Sequence, residues 1–91
     1  MKKVNVDLLT GQDNYAILKL PDRRFPGALI PGDSLKLLRD LSESIVRRTE
    51  GTDNQELVDE ATELFHKLSE RIEHYERMCR ENGLSLPYPE T

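Results

Sequence analysis

At 91 residues, with 36% apolar and 33% charged side chains, the chain has room for one domain and one modest core, so any second function must share that core's surface. The net charge of −4 hides an asymmetry: residues 1–32 carry five basic and three acidic side chains (+2), and residues 33–91 carry eight and fourteen (−6). So acidic a C-terminal part excludes sequence-independent nucleic-acid binding through it, which requires neutralising phosphates rather than repelling them.

There is no run of eighteen apolar residues, and Met1-Lys2-Lys3-Val4-Asn5-Val6-Asp7 lacks the apolar core of a signal peptide. The chain therefore reads as cytoplasmic, with no membrane partner. Cys79 is the only cysteine, which rules out an internal disulfide and a cysteine-rich metal site. Its place on an apolar stripe makes it a small core residue.

In chain order, Lys3 to Leu9 alternates Val4, Val6 and Leu8 with polar residues, the period of a half-buried strand. Thr10-Gly11-Gln12-Asp13-Asn14 is a turn-rich break. Tyr15 to Leu20 is a second strand with apolar residues on both sides, which suits a central position. Pro21-Asp22-Arg23-Arg24 reads as a tight turn, and Phe25 to Ile30 as a third strand that Pro26 and Gly27 confine to an edge or a bulge. Asp33 or Ser34 is placed to cap a first helix reaching about Glu50, with Leu35, Leu38, Leu41, Ser42, Ile45, Val46 and Thr49 on its inner face. Gly51 stops that helix.

The longest pattern runs from Thr52, read as the cap, to Asn82-Gly83. Leu57, Ala61, Leu64, Leu68, Ile72, Tyr75 and Cys79 recur there at steps of three and four. So short a connection makes an antiparallel hairpin. Leu84 is placed to fold back on the last turn, and Leu86 and Tyr88 to clip the proline-containing tail onto the body. The expected fold is α+β in a single domain, 1–91: a three-stranded, mostly antiparallel sheet (1–32), a two-helix hairpin covering one sheet face with a long C-terminal helix (33–83), and a tail (84–91).

Gly32-Asp33-Ser34-Leu35 resembles the signature of the GDSL hydrolases, whose serine is the nucleophile. That family implies a flavodoxin-like domain at least about twice as long and a C-terminal Asp-x-x-His, neither of which is recognisable here. Helix capping accounts for Asp33 and Ser34 without chemistry. Glu63, His66, Glu70 and His74 fall within about 80° of one another at 100° per residue and have the look of metal ligands. Their direction is nearly opposite the apolar stripe, so they read as a solvated face with Glu63–Lys67 and Glu70–His74 pairs, and no metal or other cofactor is expected. Arg23 and Arg24, near the start of the first helix, are weighed as an anion pocket, but Asp22 is placed to pair with them and a structural turn is the preferred reading.

Asn14-Tyr15-Ala16-Ile17, Leu20-Pro21, Arg24-Phe25-Pro26-Gly27 and Gly32-Asp33-Ser34-Leu35 together resemble the pattern of a family of small uncharacterised bacterial proteins. The resemblance implies a bacterial cytoplasmic protein and assigns no activity. In size and acidity the chain also resembles immunity proteins.

The functional expectation is a non-catalytic interaction protein, an immunity or regulatory partner acting through the acidic face of Asp59, Glu60, Glu63 and Glu70 on a basic protein. A small hydrolase or metal enzyme using Ser34 or the Glu63 to His74 stripe, and a structural homo-oligomer subunit, are the alternatives. A thirty-residue helix of about 45 Å outruns seventeen-residue and seven-residue partners of about 26 and 23 Å. The uncovered end then points to a homodimer through Ile72, Tyr75, Met78 and Leu84.

Overall fold

The computed structural model describes residues 1–90. The fold is α+β: a three-stranded antiparallel sheet followed by two helices, in the order β1 (Asp7–Leu8), β2 (Ile17–Lys19), β3 (Gly27–Ala28), α1 (Gly32–Thr49) and α2 (Gln55–Glu81). Its internal contacts divide the chain into two compact units, Met1–Pro31 and Gly32–Thr91.

In the first unit β2 is the central strand, as its two-sided apolar pattern requires, with β1 and β3 antiparallel on either side. The strands are much shorter than the alternation suggests, and the register explains why. Leu8 pairs with Leu18 and Asp7 with Lys19, so Val6 and Val4 would need partners at Leu20 and Asp22. There the chain has already left the ladder, because Arg23 N–H bonds the Leu20 carbonyl at 3.1 Å and closes the turn around Pro21. At the other end, Ile17 N–H donates to Thr10 Oγ1 at 3.0 Å, so a side chain completes the pairing of β1. Pro26, which has no N–H, limits β3 to an edge position.

In the second unit the two helices form an antiparallel pair. Gly32, the first residue of α1, lies against Tyr75 near the end of α2, whereas the Arg39 guanidinium sits 5.4 Å from the ring centre of Phe65, ten residues earlier in α2. Their seam consists of Gly32, Leu35, Ser42 and Thr49 from α1 and Ala61, Ile72 and Cys79 from α2. Buried Ser42 and Thr49 spend their hydroxyls on their own helix, donating to the Arg39 and Val46 carbonyls at 2.6 and 2.8 Å.

The helix ends differ from the sequence reading in two places. Helix α1 already starts at Gly32, so Asp33 and Ser34 lie inside its first turn, and the Asp33 carboxylate accepts from Ser34 N–H at 2.8 Å. Asn54, not Thr52, caps α2, accepting from Leu57 N–H at 3.1 Å, while the Thr52 hydroxyl donates to the Thr49 carbonyl at the end of α1. A shift of two residues is expected where Thr, Asp and Asn compete for the same role. Gly51 (φ 84°) stops α1, and Gly83 (φ 69°) ends α2 in a Schellman turn, Leu84 N–H reaching Cys79 O at 2.8 Å and Gly83 N–H reaching Arg80 O at 3.2 Å. The tail then returns along α2: Leu86 and Tyr88 are half-buried, and the Tyr88 hydroxyl donates to Glu76 Oε2 at 2.9 Å.

Candidate functional site

The seam faces only part of the apolar arc of each helix. On α1 the projected directions of Leu38, Leu41 and Ile45 lie to one side of Leu35, Ser42 and Thr49; on α2 Leu57, Leu64 and Met78 lie to the same side of Ala61, Ile72 and Cys79. Because the helices are antiparallel, these two sets share one face of the hairpin. They stay largely exposed, Leu41 at 53% and Leu64 at 48%. The sequence reading placed Leu38, Leu41 and Ile45 on the inner face of α1, and the structure corrects that: the apolar arc is wider than one neighbouring helix can cover.

The residues expected to mediate self-association are divided by the same geometry. Ile72 is 5% exposed within the hairpin, and Tyr75 is half-buried with its ring against Gly32, so neither offers a free surface. Met78 and Leu84 do remain exposed. Burial, followed by the neighbouring Cys79 thiol, raises the Tyr75 phenol above the ordinary tyrosine pKa.

On α2, Glu60 flanks the open apolar stripe, and Asp59, Glu63 and Glu70 lie further round, all exposed. Glu63 pairs with Lys67 at 3.7 Å and Asp59 accepts from Gln55 Nε2 at 2.8 Å. The expected Glu70–His74 pair is not formed. His74 Nδ1 instead lies 3.0 Å from Arg77 Nη2, which makes it an acceptor, and His66 is tilted against Phe65. Glu63, His66, Glu70 and His74 thus share an exposed strip without converging, and among the described residues no group of three or more His, Cys, Asp or Glu side chains is placed to hold a metal ion.

The opposite face of the hairpin is charged. Lys36, Arg39, Glu73, Glu76 and Arg80 line a groove of about 350 Å³ that the tail partly roofs with Tyr88 and Glu90. Its cations are occupied: Lys36 and Arg39 bond Asp40 at 3.0 and 2.9 Å, and Arg80 approaches Glu76 and Glu90. Burial pushes the Asp40 carboxyl up, but hydrogen bonds from Arg39 and Lys36 outweigh it and hold the group below its ordinary value. The bond to Asp40 in turn raises Arg39. Burial first and the bond to Glu76 second raise the Tyr88 phenol well above the usual tyrosine range.

Ser34 is exposed in the first turn of α1, and among the described residues no histidine or carboxylate hydrogen-bonds its hydroxyl. Arg23 and Arg24 border an apolar groove in the first unit, and Arg24 lies over the Phe25 ring at 5.3 Å. Asp22 does not pair with either of them.

No helix among the described residues is long and apolar enough to cross a membrane. No curated protein and no solved structure matches the chain. A model of a family of unknown function (DUF6959) matches residues 1–88, and the chain belongs to that family.

Proposed function

We propose that the protein is a non-catalytic interaction module that pairs with a second copy through the open face of its hairpin and holds a basic protein partner on its acidic strip. The observation that carries this reading is the exposed stripe of Leu38, Leu41 and Ile45 beside Leu57, Leu64 and Met78. Six such side chains form a patch on the order of several hundred Å², at the upper end of what a monomer leaves open. Charge supports a second copy as the occupant. Arg48 flanks the apolar stripe of α1 and Glu60 that of α2. A two-fold arrangement laying α1 on the partner's α2 brings these opposite charges together.

Asp59, Glu63 and Glu70 lie further round α2 and stay available in such a dimer. They suit a basic protein, as expected of an immunity or regulatory partner in the cytoplasm of a bacterium. Sedimentation equilibrium tests the pairing. The full chain should sediment as a dimer in the micromolar range, and Leu41→Asp or Leu64→Asp should shift it to monomer. Glu63→Lys with Glu70→Lys should leave the dimer intact and slow association with a basic partner, an effect that disappears at high salt. A wild-type monomer throughout that range would refute the pairing.

A further inference from the structure

The first unit contains a feature that the proposed function leaves without a role. Leu8, Leu18 and Gly27 lie across from one another in the three strands and so share one face of the sheet. Leu29, bonded to Ala16, continues that face by alternation, and Leu20 borders it where β2 ends. Gly27 is the gap in this row: a Cβ built on it would meet nothing within 4 Å. Over the gap lies a groove of about 500 Å³ lined by Leu18, Leu20, Phe25, Gly27 and Leu29, with Arg23 and Arg24 at its border.

Two further observations give the groove a direction and a charge preference. First, β3 is an edge strand. Leu29 N–H bonds the Ala16 carbonyl at 2.9 Å, and antiparallel pairs alternate between hydrogen-bonded and non-bonded, so the Ala28 pair opposite Ile17 is a non-bonded one. The Ala28 N–H and C=O are therefore turned outward, one donor and one acceptor on the open edge. Second, Arg23 and Arg24 form no ion pair with any carboxylate among the described residues, unlike Arg39, Arg47 and Arg80.

We propose that this edge and groove bind an extended acidic segment of a partner protein. The segment adds to β3 by pairing its backbone with Ala28, sets an aliphatic side chain in the space over Gly27, and places a carboxylate against Arg23 and Arg24. Pairing at a sheet edge supplies main-chain bonds to any sequence, so the Gly27 gap and the two guanidinium groups provide the selectivity. Pro26, without an N–H, offers no donor at the neighbouring outward-facing position, so much of the recognition falls to the groove.

The test is fluorescence anisotropy with the full chain and a labelled, end-capped peptide carrying a Val-Leu-Val centre between Asp-Glu flanks. Saturable binding is expected, weakened at least about tenfold by Arg23→Gln with Arg24→Gln, and lost with Gly27→Leu, whose side chain fills the groove. Methylating the backbone nitrogen of the central leucine should weaken binding comparably, since it removes an edge hydrogen bond. Thermal melts identify any variant that fails to fold; the arginine pair removes exposed charge together with the Arg24 contact on the Phe25 ring, and with an unchanged melt it decides alone. Equal binding of a peptide with Lys-Arg flanks, indifference to Gly27→Leu in a folded protein, or binding of dodecanoate but not of the peptide would each overturn the proposal. The outcome is independent of whether the hairpin dimerises.

Discussion

Gly32 and Tyr75 lock the two helices together at one end of the hairpin: a Cβ built on the glycine would overlap the phenol ring of the tyrosine. The ring occupies the volume that any other residue would need. Gly32→Ala should therefore cost about 1–3 kcal/mol, the usual range for overpacking. Adding Tyr75→Leu should recover part of that loss, because the obstructing ring is gone. Urea denaturation of the two single variants and the double variant measures the coupling, and strictly additive costs would show that the overlap relaxes elsewhere.

Asn54→Ala should destabilise by about 1 kcal/mol, because it removes the acceptor of Leu57 N–H at the start of α2. Thr52→Ala should cost less, since the Thr49 carbonyl that accepts from the Thr52 hydroxyl also accepts from Thr52 N–H at 3.1 Å and so keeps a partner. Ser34→Ala should be close to neutral, as the bond to Ser34 N–H comes from the Asp33 side chain. Thermal unfolding of the three variants tests the order.

Ser69 carries a buried hydroxyl with no hydrogen-bond partner in the structure. A desolvated hydroxyl without a partner is a net cost, so Ser69→Ala should be neutral or stabilising by up to about 1 kcal/mol. Ser42→Ala is the contrasting case, because its hydroxyl is bonded to Arg39 O. If Ser69→Ala proves the more destabilising of the two, the hydroxyl has a role the contacts do not reveal.

The raised pKa of Tyr88 gives the tail an alkaline limit. A phenol whose pKa is higher in the folded than in the unfolded chain contributes stability that is fully present below about pH 10 and is lost as pH rises through the folded-state value. Tyrosinate absorbance should therefore show a late-titrating phase that Tyr88→Phe reduces, the raised Tyr75 phenol supplying the remainder. Asp40 works in the other direction: its depressed pKa contributes stability present above about pH 4 and lost on acidification below that. With that carboxylate half in solvent, the acid effect should be small.

The sequence made the helices legible because periods of three and four persist through α2, and Gly51 and Gly83 sit where left-handed glycines were expected. It also placed β2 in the centre and the Tyr88 clip on the body. Strand length was not legible, since Val4 and Val6 alternate correctly but lack a partner once Pro21 turns β2 away. Nor was the open hairpin face, because periodicity shows that Leu38, Leu41 and Ile45 are apolar without showing how much of the arc the neighbouring helix covers. Gly32 read only as the residue ahead of the Asp33 or Ser34 cap. Only the approach of Tyr75, forty-three positions later, reveals it as a packing site.

The seam between the helices has a thermodynamic consequence. Apart from Leu35 and Ile72, its fully buried residues are the small Gly32, Ser42, Thr49, Ala61 and Cys79, the larger Tyr75 is only half-buried, and among the described residues no large side chain is buried beyond 98%. Small seam residues let two backbones approach closely but withdraw little hydrocarbon from water, so the hairpin gains less from burial than its length suggests. In the proposed dimer, folding is governed by mass action as well as by intramolecular packing, and the chain should then melt at a temperature that climbs with protein concentration.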